Sequence, residues 1–300
     1  MRENRNGTYV TLSYGRPCVS HVDPIEKKPF FHVYPGKTAF SIATVGCNFT
    51  CKFCQNWDIS QASPQDVRAP YRPPEEIVRM AAESKARAIA YTYSEPTIFT
   101  EYVLDCARAG REKGLASVVV SNGFIAAKPL EELCGAIAAI KIDLKAFTDT
   151  FYQDVCGGRL KPVQDTLKRL SVSKVWFEIV VLIIPTLNDG MDDIKRMAGW
   201  IAKELGPNVP VHFTRFHAAY KLQNLPDTPP RTLVRAREVA RQEGCRFVYT
   251  GNMPGAESES TFCPQCQTAL IRRDGHAVLS NDIVKGRCPK CQEVIPGVWD

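Results

Sequence analysis

Seven short apolar runs recur from Thr38 onward, TAFSIATV, AIAYTY, ASVVVS, AIKIDL, VWFEIVVLII, PVHFTRF and RFVYT, each rich in β-branched residues and separated from the next by a stretch of helical period. Runs that are apolar throughout, and not merely at alternate positions, predict strands covered on both faces. Strands alternating with helices require right-handed crossovers, so the predicted sheet is parallel. Helices are expected over Pro74 to Lys85, Ile98 to Lys113, Pro129 to Ala136, Val163 to Leu170, Met191 to Leu205 and Thr232 to Glu243, with proline at several starts and glycine just past several ends. Six or seven such repeats predict an α/β fold built as a whole or partial (β/α) barrel, and an open doubly wound sheet is the structural alternative.

The flanks differ in texture. Residues 1–37 mix glycine, charge and the closely spaced Pro24, Pro29 and Pro35, and are expected as an irregular segment packed on the main domain, residues 38–251. Residues 252–300 open with the small, polar NMPGAESES and are expected as a separate module of two short knuckles, TFCPQCQTALIRRDG and GRCPKCQEVIPGVWD.

The chain has no apolar stretch long enough to cross a bilayer, and its start, MRENRNGTYVTLSYG, lacks a signal-peptide core, so neither membrane insertion nor export is expected. A net charge of +6 without a basic block argues against a nucleic-acid partner. The 12 cysteines fall into two tight clusters plus scattered singles, which is the spacing of metal sites and not of a disulfide framework, and a reducing cytoplasm fits that usage.

In a parallel βα fold, functional side chains follow the carboxyl ends of the strands. The first apolar run leads into Cys47, Cys51 and Cys54, a C-x3-C-x2-C loop. A structural zinc site is closed by four ligands, and iron–sulfur clusters are also usually held by four thiolates, so three local ones leave an iron open to bind a cofactor or substrate. A closed cluster would need a distant fourth thiolate, with Cys18 and Cys156 the candidates.

This loop, with Phe53 as the aromatic before the last cysteine, resembles that of the radical S-adenosylmethionine (SAM) superfamily. The resemblance implies a [4Fe–4S] cluster whose open iron is chelated by SAM, inside a partial (β/α) barrel of the radical SAM type. It implies further site residues. Tyr93-Ser94-Glu95-Pro96 is similar to the family's GGEP segment, with Ser94 and Glu95 toward the cofactor ammonium; the alternative for Glu95 is a helix-entry carboxylate ahead of a first-turn proline. Asp143-Leu144-Lys145 looks like the DLK segment that contacts the cofactor ribose in glycyl-radical-activating enzymes, or a plain interior ion pair. Ser121 and Asn122 are candidates for the ribose or carboxylate, or for capping the turn at Gly123. His217 fits a rim histidine near the nucleoside, or a structural one.

HVDPIEKKPFFHVYPG, GCNFTCKFCQNWDIS, AYTYSEPT, SNGF, KIDLKAF, CGGRLKPV, the IIPTLND run, RFHAAYKL and YTGNMPG together resemble one branch, the AmmeMemoRadiSam system radical SAM enzymes, whose core is similar to pyruvate formate-lyase-activating enzymes. That likeness implies a one-electron donor such as flavodoxin or ferredoxin, association with Memo-like and AMMECR-like proteins, and hydrogen abstraction from a substrate, a protein or peptide docked over the barrel mouth being one form of it.

Cys263, Cys266, Cys288 and Cys291 have the paired-knuckle spacing of a zinc ribbon or rubredoxin-like site. Structural Zn²⁺ is expected, with mononuclear iron or an auxiliary iron–sulfur cluster as alternatives. Cys106, Cys134 and Cys245 read as core thiols. The rival reading of the whole chain is a noncatalytic metal-binding adaptor whose ribbon contacts RNA or a protein partner.

Overall fold

The computed structural model describes residues 1–253, 255 and 257–299. Its centre is an eight-stranded sheet. Thr38–Ala43, Ala88–Tyr91, Ala116–Ser121, Ala139–Asp143, Trp176–Ile183, Val211–Arg215 and Val248–Gly251 pair in sequence order, all parallel. Each expected run thus forms a strand. Val19–Pro24 adds to Thr38–Ala43 antiparallel at one edge, and the opposite edge, Val248–Gly251, does not pair back to it, so the barrel is partial.

The helices lie where the proline and glycine punctuation put them. Pro74–Glu83 starts with proline in its first turn, carries Glu75 and Glu76 at the positive end of its dipole, and buries Ile77, Val78 and Ala81. Met191–Trp200 runs on into a π turn, Ile201–Leu205, that stops at Gly206 (φ 111°). A second π turn, Tyr152–Cys156, has no counterpart among the expected elements.

The first 37 residues are more ordered than their composition suggests. Arg2–Arg5 and Thr8–Thr11 form a hairpin with Arg5 opposite Thr8. The two-residue connection is Asn6-Gly7, both at positive φ (51° and 87°), the turn that Asn-Gly favours between strands. Further along, Phe30, Val33 and Tyr34 pack against Ala39, Ala88, Ala90 and Ala139, on the sheet face opposite Ile89 and Tyr91. Small strand residues there leave room for bulky ones from the segment, which fills that end of the barrel.

The tail forms a three-stranded antiparallel sheet, Thr261–Phe262, Ala269–Asp274 and Ala277–Asn281. Its Leu270, Ile271 and Ile295 share a core with Phe31, Phe247 and Tyr249 of the main body. A polar chain reinforces the joint: Arg273 Nη1 donates to Thr261 Oγ1 (2.9 Å), Thr261 bonds Tyr249 (3.0 Å), and Tyr249 bonds His32 Nε2 (2.7 Å). His32 Nδ1 lies 2.6 Å from the Pro296 carbonyl. A carbonyl only accepts, so Nδ1 carries the proton and Nε2 accepts from the Tyr249 hydroxyl.

Burial therefore holds His32 neutral, with its pKa lowered to about 4. Below pH 6.5 the unfolded chain takes up a proton there that the folded chain refuses, so stability falls as pH drops from about 6.5 to 4, by about 3 kcal/mol in all. Denaturant titrations across that window are expected to show the loss, and His32→Gln, which has no such titration, is expected to flatten it.

Candidate functional site

A cavity of about 620 Å³ opens at the carboxyl ends of the strands. Cys47, Cys51 and Cys54 line it together with Phe53, Ser94, Glu95, Ser121, Asn122, Asp143 and Lys145. These residues come from the carboxyl ends of four different strands and the loops that follow them, and the βα topology is what gathers them. His217 is not among the lining residues. It is exposed, with Nδ1 2.8 Å from Asp227 Oδ2.

The cysteine loop is pinned from outside the cavity. Thr50 and Lys52 donate backbone N–H bonds to the carbonyls of Cys156 (2.8 Å) and Val155 (2.9 Å), in the π turn, and Lys221 N–H donates to Lys52 O (2.9 Å). Gly157 and Gly158 allow this approach: a Cβ on Gly157 would lie 2.3 Å from Thr50 Oγ1, and one on Gly158 2.3 Å from the Phe49 ring. That ring is buried against Phe124 and Tyr152 and has nowhere to go. Gly158→Ala is expected to displace the loop at a cost of about 1–3 kcal/mol. Denaturant unfolding would read the loss, and reduced iron incorporation would report the displaced thiols.

Glu95 is almost fully buried and saturated with donors: Thr97 N (3.0 Å) and Ser121 Oγ (2.8 Å) to Oε1, Asn122 N (2.8 Å) to Oε2. Burial still pushes its pKa up. Ser121 and Asn122 thus serve Glu95 first, and the Asn122 amide reaches on to Asn48 Oδ1 (2.6 Å) and to Cys47 Sγ (3.8 Å). Ser94 Oγ, by contrast, is buried without a hydrogen-bond partner. Tyr93 adopts the left-handed backbone (φ 65°) that suits glycine. Its hydroxyl donates to Asp23, and Lys28 Nζ sits 4.4 Å above its ring, so strand Val19–Pro24 and the residues after it hold the strained position.

Asp143 lies between Lys141 and Lys145, the latter at 3.2 Å. Burial would raise its pKa, but the two ammonium groups, Lys141 foremost, bring it down to about 2. Lys145 Nζ is also 5.5 Å above the Phe53 ring. Strand alternation puts residues 141, 143 and 145 on one side, so Lys141 was within reach of sequence reasoning.

The two cysteine clusters have different geometries. In the tail, Cys263 and Cys291 sulfurs are 3.5 Å apart and those of Cys266 and Cys288 3.7 Å, with all four within 4.8 Å of one another. A single tetrahedral ion with metal–sulfur bonds of ~2.3 Å sets its ligands about 3.8 Å apart, so this group fits one ion. Among the described residues, Cys47, Cys51 and Cys54 do not close to that degree. Three thiols on one loop lining the cavity, with Ser94 also in the lining and its hydroxyl unpartnered among the described residues, fit a polynuclear cluster with a ligand next to it. Neither Cys18 nor Cys156 lines the cavity: Cys18 Sγ faces the Ala43 carbonyl (3.5 Å), and Cys156 is a free, buried thiol in the π turn behind the loop. Cys106 and Cys245 are buried in the core and Cys134 packs at its margin.

Residues 41–201 match the Radical SAM superfamily. Protein MJ0808 of Methanocaldococcus jannaschii is 43% identical over 298 residues, 98% of this chain and 88% of that protein. Pyruvate formate-lyase 1-activating enzyme of Escherichia coli is 22% identical over 68% of this chain and 89% of its own. A radical SAM methyltransferase from Sphaerobacter thermophilus superposes with a TM-score of 0.56 at 15% identity, covering 75% of this chain and 71% of that one, a likeness of fold. Among the described residues no helix is long and apolar enough to cross a membrane.

Proposed function

Since the chain belongs to the Radical SAM superfamily and is therefore an enzyme, we propose that Cys47, Cys51 and Cys54 hold a [4Fe–4S] cluster at which SAM binds. The observation that carries this reading is the presence of these three thiols on one wall of a cavity that also contains Ser94, Glu95, Asn122, Asp143 and Lys145. When bound, the cluster and SAM supply reductive cleavage to methionine and a 5′-deoxyadenosyl radical, which abstracts hydrogen from the substrate.

The chain's own residues prepare that chemistry. Phe49 N–H (3.3 Å) and the Asn122 amide donate to Cys47 Sγ, and such bonds to ligating sulfur raise a cluster's potential and fix its ligand. Asp143, kept ionised by Lys141 and Lys145, offers carboxylate oxygens to ribose hydroxyls. Ser94 Oγ is the free hydroxyl beside the cofactor's amino-acid end. Barrel walls of Val180 and Leu182 keep water from the reacting atoms.

The resemblance to AmmeMemoRadiSam enzymes supports an activating or modifying role, with Memo-like and AMMECR-like proteins as associates, a flavodoxin or ferredoxin as reductant and a protein or peptide as substrate; the cysteine usage supports a reducing cytoplasm as compartment. The tail's four sulfurs support a structural Zn²⁺. His217, exposed and paired with Asp227, is proposed as the rim histidine near the nucleoside. The test is anaerobic reconstitution with iron and sulfide, followed by dithionite and SAM. Formation of 5′-deoxyadenosine is expected; its absence from a protein carrying a full cluster would leave the adaptor reading.

A further inference from the structure

The same cavity has a second polar end, away from the cysteines, lined by Glu26, Phe31, His212, Glu259 and His276. Glu259 and His276 belong to the tail, so the tail walls the chamber where the barrel stays open.

The charges at this end are unevenly spent. Lys27 and Lys28 are both engaged by Asp23, at 2.8 and 2.6 Å, and Lys28 also by the Tyr93 hydroxyl at 3.1 Å. Lys141 is engaged by Asp143. Arg273 spends Nη2 on Phe31 O (2.8 Å) and Nη1 on Thr261 Oγ1 and Glu259 O. Its Nε stands 3.8 Å from Glu26 Oε1, too far for a hydrogen bond, and has no other partner.

The acceptors are less satisfied. Glu26 is fully buried; Oε1 takes the Gly36 N–H (2.9 Å), but Oε2 has no partner among the described residues. Glu259 accepts the Gly275 N–H at Oε2 (2.9 Å) and a second backbone N–H from Met253. Glu178 is fully buried and accepts from the backbone N–H groups of Phe31 and His32 and from His212 Nε2 (2.7 Å). With Nε2–H donating, neutral His212 keeps Nδ1 as an unused acceptor. A buried carboxylate oxygen without a donor is costly, and a donor brought by a ligand would remove that cost.

We propose that this end binds a primary ammonium group of the substrate, with Glu26 as counter-charge and His212 as a further acceptor. The proposal rests on the cavity being the reaction chamber. It covers a free amine and a lysine side chain alike, since both present the same group.

Binding of n-butylammonium, n-butanol, butyrate and acetyl-Ala-Lys-Ala-amide to the anaerobic, cluster-loaded protein with SAM present tests it. The ammonium probe is expected to bind at least tenfold tighter than n-butanol, with butyrate excluded, and Glu26→Gln is expected to erase the preference. Binding of the peptide as well would identify the lysine source, and binding of butylammonium alone the free amine; both support the subsite. Equal affinity for the alcohol and the amine, or no binding of either because water alone bridges Glu26 and Arg273, would overturn it. The wild-type comparison decides even if Glu26→Gln does not fold. Assaying 5′-deoxyadenosine in the same samples keeps the two claims apart: turnover without ammonium preference sinks only the subsite, and no turnover sinks the enzymatic reading.

Discussion

Replacing Cys54 by alanine is expected to abolish 5′-deoxyadenosine formation altogether. The thiol lines the cavity wall with Cys47 and Cys51, and two thiolates cannot hold a cubane that leaves an iron open for SAM. Absorbance of the anaerobically reconstituted variant near the sulfur-to-iron charge-transfer bands should collapse with the activity. Cys18→Ser is expected to retain both, because its sulfur faces the Ala43 carbonyl and not the cavity. Cys156→Ser should likewise retain a cluster, since that thiol sits behind the loop. If either serine variant lost the cluster while Cys54→Ala kept it, the assignment of ligands would be wrong.

The second large effect concerns the tail. Its own apolar side chains are few, and its core is completed by Cys263 and Cys288 on one side and by Phe31, Phe247 and Tyr249 on the other. A metal held by the four cysteines would therefore contribute folding free energy that the tail cannot replace, in isolated zinc-finger peptides about 10–16 kcal/mol. The shared core retains part of the packing in its absence. Cys291→Ser is expected to release one equivalent of metal and cost roughly 4 kcal/mol, which lowers the melting temperature by roughly 6 °C in a chain of this size. Since Glu259 and His276 line the cavity, the same variant should open it, and limited proteolysis should cut between the strand ending at Gly251 and Thr261. Unchanged melting after complete metal removal would mean that the hydrophobic joint alone holds the tail.

What was legible in the sequence is what local spacing encodes. Seven strands follow from continuous apolar runs because both faces of each are covered, and the cysteine loop and paired knuckles follow from ligands adjacent in the chain. The turn at Asn6-Gly7 carried a hairpin signal of the same local kind, though the flanking residues are too polar to suggest strands. The rest depends on contacts between distant segments. Asp23, Lys28 and Tyr93 meet across about 70 residues, and Glu178 with His32 across 146, so no window of sequence displays them. The role of Ser121 and Asn122 as partners of Glu95 depends on how two βα loops approach each other. Bulky residues 30–34 inside the barrel were hidden because their complement, a set of alanines, lies on three separate strands.

The most direct measurement is a Mössbauer spectrum of the anaerobic, iron-57-enriched protein before and after SAM is added. A cluster with three cysteine ligands has one iron unlike the rest, and the account predicts that this site alone shifts when SAM binds. Four irons with thiolate-like parameters that do not respond to SAM would contradict it.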